Sequence, residues 1–153
     1  MENKSEATKF ESGFTLVELI AVLLVVGIMS VVALPRFFDR NTFDSRGFHD
    51  QVIATLRQAQ KIAIAQHRFV CVAFTANSIT LTQGATSACG GALTSPTGVT
   101  PFVINAPAAD VTLAGGANFN FDFLGRPSAA QDITVSGYAP HIFVTAETGY
   151  VHQ

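Results

Sequence analysis

Charge and cysteine are both scarce in this chain of 153 residues: 13% of the side chains are charged, the formal net charge is -2, and cysteine occurs twice. Two cysteines exclude a small scaffold held by a disulfide framework and leave room for one bridge at most. Without a strongly basic balance, bulk charge gives no route to a nucleic-acid partner. There is no G-x-S-x-G, no H-E-x-x-H and no phosphate-cradling glycine-rich loop; Gly90-Gly91 and Gly115-Gly116 read as turns. The histidines at 49, 67, 141 and 152 form no recognisable motif with a nucleophile and a carboxylate. Cys71, Cys89 and His67 lack the spacing of zinc ligands. No catalytic residue, cofactor or metal ion is expected, and the protein reads as the substrate of an enzyme rather than an enzyme.

What the chain has is apolar mass. Apolar residues make up 48%, phenylalanine occurs 13 times and the mean hydropathy is +0.35. Such a composition buries a core and is not that of a disordered chain, and the length fits one domain or one domain plus a tail.

The apolar residues are unevenly spread. From Phe14 to Leu34, 17 of 21 residues are apolar, and Pro35 closes the run. As a helix the segment rises about 32 Å, the thickness of a bilayer core. It is too long for the apolar region of a secretory signal, and Pro35-Arg36-Phe37 stands where a cleavage site of small residues would be. Glu18 interrupts this run. A carboxylate in an apolar helix costs about 2.5 kcal/mol or more unless it is paired, so it either marks the helix start or has a partner.

Gly13-Phe14-Thr15-Leu16-Val17-Glu18-Leu19 resembles the processing motif of type IV pilins and type II secretion pseudopilins. The resemblance implies that a prepilin peptidase removes residues 1–13, cutting after Gly13 and methylating the new amino terminus at Phe14. Glu18 becomes the fifth mature residue, and Pro35 falls where that family often bends its helix. In an assembled fibre Glu18 of one subunit would pair with the Phe14 amine of its neighbour, so that each charge finds its partner only in the correct register. Two features depart from the family pattern. The leader holds Lys4 and Lys9 against Glu2, Glu6 and Glu11, and Arg36, Arg40 and Arg46 follow the apolar run, so the charges alone assign no orientation. The family places the C-terminal part outside the cytoplasm.

Beyond the membrane and assembly helix, residues 14–35, the periodicity predicts an amphipathic helix over 36–67. Its apolar stripe is Phe48, Val52, Leu56, Ala59 and Ala63, with His49, Gln51, Arg57, Gln58 and Lys61 on the wet side. Unbroken, the two helices would form a rod of about 75 Å, with a kink at Pro35 or a break near Gly47 as its weak points. Residues 68–153 read as a β-rich head. The expected strands are 69–74, 78–82, 102–104, 111–113, 118–123, 133–136, 141–145 and 150–152, with a long loop over 83–101. The fold class is therefore α+β: a long N-terminal helix packed on an antiparallel β-rich, pilin-like head.

Leu56-Arg57-Gln58-Ala59-Gln60, Phe123-Leu124-Gly125-Arg126-Pro127 and Gly149-Tyr150-Val151-His152 resemble the GspH/FimT type of minor pseudopilin, and within it the MshC group of mannose-sensitive haemagglutinin (MSHA) pilus systems. This implies a single-pass inner-membrane protein with a periplasmic head, whose partners are other pilin or pseudopilin subunits, the prepilin peptidase and the inner membrane. Its function would be that of a structural or initiating subunit of an MSHA-like pilus. The alternatives are a minor pseudopilin of type II secretion and a FimT-like DNA-uptake pilin. Nucleic acid is not an expected partner, because residues 69–153 hold Arg126 against Asp110, Asp122, Asp132 and Glu147, a net of -3. Arg126 is expected instead to anchor its hairpin by pairing with Asp122. In a periplasmic head Cys71 and Cys89 can form a disulfide contributing about 3 kcal/mol; the alternative is one buried and one exposed free thiol.

Overall fold

The computed structural model describes residues 14–38 and 40–153, with side chains for 14–30 and 41–153. Gly13, the leader 1–13 and Asp39 lie outside the described residues, as does the side chain of Pro35. The chain divides into two compact units, one ending at Asp39 and one from Arg40 to Gln153.

The first unit contains α1, Leu16–Phe38. Thr15 caps it: its Oγ1 accepts the Glu18 amide at 3.3 Å, while the Thr15 carbonyl accepts the Leu19 amide at 3.1 Å. Glu18 therefore sits at the third helical position, where the positive end of the helix dipole favours a carboxylate. Among the described residues no helix is long and apolar enough to cross a membrane, the described side chains of α1 ending at Ser30.

The second unit is an α-helix packed on two antiparallel sheets. α2 runs Arg40–Gln66 without interruption, so the break anticipated near Gly47 does not occur. Ser45, Phe48 and His49 are buried around that glycine, and their packing outweighs its poor helix propensity of about 1 kcal/mol. The first sheet contains β1 (Phe69–Phe74), β2 (Ser78–Gly84), β3 (Gly91–Ala92), β4 (Phe102–Asn105) and β6 (Phe119–Phe121). β1 lies between β2 and β6, while β3 and β4 share the other side of β2. The second sheet has the order β5-β7-β8-β9, with β5 Leu113–Ala114, β7 Gln131–Val135, β8 Tyr138–Val144 and β9 Val151–His152.

The α+β class holds, and the alternation Asn118–Phe123 forms a strand with Phe119 and Phe121 inward. Three details differ from the sequence reading. The long loop carries β3, the strand expected at 111–113 is a short piece at 113–114, and β6 leaves the local order to pair with β1. Because α2 packs on both sheets, its buried face is wider than the five-residue stripe. His49, assigned to the wet side, is fully buried, with its ring edge-on to Tyr138 at 4.8 Å. Its Nδ1 lies 3.3 Å from Asp50 Oδ1, and its Nε2 has no hydrogen-bond partner among the described residues.

Candidate functional site

The first unit offers one kind of chemistry: an apolar surface with a carboxylate at its start. Phe14, Leu16 and Val17 are three-quarters exposed, and every apolar side chain described on α1 faces outward. Glu18 is exposed beside a shallow groove formed by Ala21, Val22, Val25 and Val26. Among the described residues no cation pairs with it; the carboxylates with a basic side chain in contact are Asp50, beside His49, and Asp132, beside His141. Among the described residues of this unit, the apolar side chains of α1 have no partner.

In the second unit, three sequence segments that are far apart meet at one place. Arg57 donates from Nε and Nη2 to the Val151 carbonyl at 3.2 and 3.0 Å. One turn on, Gln60 Nε2 donates to the carbonyls of Gly125 at 3.0 Å and Thr148 at 2.9 Å. Gln60 thus grips both the turn after β6 and the turn before β9, while Arg57 holds the first residue of β9. Both turns need glycine. At Gly125, with φ +80°, an added Cβ would meet Ile64 Cδ1 at 2.7 Å; at Gly149, with φ +67°, it would collide with the Gly125 carbonyl oxygen. The sequence resemblance singled out these three segments without indicating that they touch.

The first of these turns is organised by Asp122. Its Oδ1 accepts the amides of Leu124 at 2.9 Å and Arg126 at 2.8 Å, and the Gly125 amide bonds the Asp122 carbonyl at 2.9 Å. The expected pairing of Asp122 with the Arg126 guanidinium is absent. The backbone amides take the carboxylate because they lie two and four residues away in the same turn. Cys71 and Cys89 form a disulfide, tying the segment after β2 to β1.

The histidines are not brought together. His49 is in the core, His67 ends α2 exposed, and His141 and His152 flank the Phe143 ring on the outer face of the second sheet at 5.8 and 5.5 Å. His141 Nδ1 bonds Asp132 Oδ1 at 2.7 Å. Among the described residues no group of His, Cys, Asp and Glu is placed to hold a metal ion. The cations that the sequence divides between helix and head do converge. Arg57, Lys61 and Arg68 lie along or just past the C-terminal half of α2, and Arg126 occupies the turn seated on Gln60 and Ile64.

Comparison with known proteins points the same way. The prokaryotic N-terminal methylation motif matches residues 8–34. The type IV narrow pilus major component PilA5 of Thermus thermophilus is 31% identical over 104 residues, covering 68% of this chain and 87% of that protein. No solved structure matches the chain.

Proposed function

Since this chain belongs to the type IV pilin family, we propose that it is a minor pilin of an MSHA-like pilus, anchored in the membrane and working by assembly rather than by catalysis. On this reading the peptidase cuts between Gly13 and Phe14, residues 14–35 hold the subunit in the inner membrane before assembly, and the head lies in the periplasm. The observation that carries the proposal is the outward apolar surface of α1, with Glu18 at its start and no cationic partner for that carboxylate among the described residues. The methylated Phe14 amine of a neighbouring subunit supplies the missing charge, in an apolar surrounding where an unpaired carboxylate is costly. Support for the minor, GspH/FimT-type assignment comes from the three segments that resemble that type meeting around Gln60 and Arg57.

A second reading, a main-shaft subunit, is favoured by the Thermus relative, which is a major pilus component. The type II secretion and DNA-uptake alternatives draw no specific support from the geometry.

Coexpression with a prepilin peptidase should shorten the chain by the 13 residues of the leader, and Gly13→Val should abolish the shortening; cleavage of the Gly13→Val chain would overturn the processing site. Glu18→Ala should lower incorporation into sheared fibres while leaving cleavage intact. Normal incorporation would show that the Phe14 amine needs no carboxylate partner.

A further inference from the structure

We propose that the end of the head built from the C-terminal half of α2 and the turn 122–126 docks on the opposite end, around residues 43–50 and Asp110, of a second copy of this chain. The proposal rests on the pilin reading, in which subunits associate, and specifies which surfaces of their heads meet.

The first end carries exposed apolar side chains on a fixed frame. Ile64, Phe123 and Leu124 are 44%, 46% and 56% exposed. They are neighbours because Gly125 seats the turn on Ile64 and Gln60, and because the Phe123 ring packs edge-on to Phe69 at 6.3 Å. Gln60 and the Asp122 turn hold this patch rigid, so little conformational entropy would be lost on docking. An open groove on the adjoining face of α2 runs past Arg57 and Lys61 over Ile62 and Ala65.

The charges identify the occupant. Arg57, Lys61, Arg68 and Arg126 are exposed at this end, and among the described residues none pairs with a carboxylate. The nearby acids are Asp122, whose Oδ1 the two turn amides occupy, and Glu147 in the turn that Gln60 also grips. The other end has the opposite sign. Asp44, Asp50 and Asp110 stand there against Arg46, with Arg40 one turn earlier at the start of α2. Asp110 belongs to this end because its carbonyl accepts the Ser136 hydroxyl at 2.8 Å, beside Gly137, whose added Cβ would meet Ser45 Oγ. Phe43, 79% exposed, gives this end its own apolar contact.

Lys61 and Asp50 are 11 residues apart, about 17 Å along α2. Two copies related by a two-fold axis at either end would bring like charges together, whereas head-to-tail copies bring unlike ends together. Such a contact joins non-identical surfaces and leaves one unlike end free on each copy, so it does not close as a two-fold dimer does. A nucleic acid would engage the basic end alone and would face Asp122 and Glu147 there.

The test uses the full chain in detergent micelles, with Lys61→Cys and Asp50→Cys as separate variants joined by a bis-maleimide; the native cysteines are disulfide-bonded and do not compete. The mixed sample should cross-link 61 to 50 about tenfold more than either variant alone, and less as salt rises. Adding Arg126→Glu to the Lys61→Cys chain should lower that yield about tenfold. Equal 61-to-61 linkage, or none in any sample, would overturn the proposal, as would association only through duplex DNA. Cleavage of the same preparations by a prepilin peptidase reports on the pilin reading separately. Cleaved but unlinked chains sink the stacking alone; linked but uncleaved chains sink the processing and leave the stacking standing.

Discussion

The N-terminal helix and the head treat their apolar side chains in opposite ways. On α1, Leu16 is 74% and Met29 is 69% exposed; in the head, Leu56, Phe121 and Ile142 are fully buried. Burying a side chain of this size contributes about 1.5–3 kcal/mol, a gain that the head makes from its own contacts and that the described side chains of α1 do not make within their unit. The head is therefore the unit that holds a hydrophobic core of its own, and the described side chains of α1 contribute nothing to it. The charges agree with that division. α1 carries Glu18 with no cation beside it among the described residues, whereas the head satisfies Gln60, Asp122 and Gln131 internally.

The comparison breaks most easily in the core. Leu56→Ala removes a side chain buried between α2 and the sheets and should cost about 3–4 kcal/mol, read as a fall in the thermal midpoint of the full chain in detergent. Leu23→Ala, at an exposed position of α1, should leave that midpoint unchanged; an equal fall would mean that α1 and the head are one folding unit. Reducing the Cys71–Cys89 bond should destabilise the head by about 3 kcal/mol, according to the loop it closes. Denaturant unfolding with and without reductant measures this. Gly149→Ala, which combines positive φ with a collision at the Gly125 carbonyl, should cost about 1–3 kcal/mol, and Gln60→Ala should cost less while loosening the same turns to hydrogen exchange. The smallest effect lies in α1: Thr15→Ala should cost about 1 kcal/mol of helix stability, seen as amide exchange confined to the first turn.

How much the sequence foretold follows the range of the interactions involved. The period of α2 and the alternation of Asn118–Phe123 are local patterns, and Phe48, Val52, Leu56, Ala59 and Ala63 lie in the core where that pattern puts them. His49 departs from the pattern because a five-residue stripe assumes one packing partner, and α2 has two sheets against it. The helix continues through Gly47 for the same reason: helix propensity counts about 1 kcal/mol and ignores the burial of its neighbours. The Asp122 carboxylate was assigned to Arg126 by charge, whereas the turn geometry gives it to two amides.

The sequence by itself determined the match to the N-terminal methylation motif, the length of the apolar run and the α-then-β order, because each is carried by residues adjacent in the chain. Only the tertiary structure decided that β6 crosses to β1, that Gln60 holds the turns around Gly125 and Gly149 and Arg57 the start of β9, and that Arg126 joins the cations of α2 at one end of the head. The bonds from Arg57 and Gln60 span 65 to 94 residues, and no local pattern encodes which distant carbonyl a side chain will reach. They are fixed when the two sheets close on one helix and leave its polar side chains facing the turns.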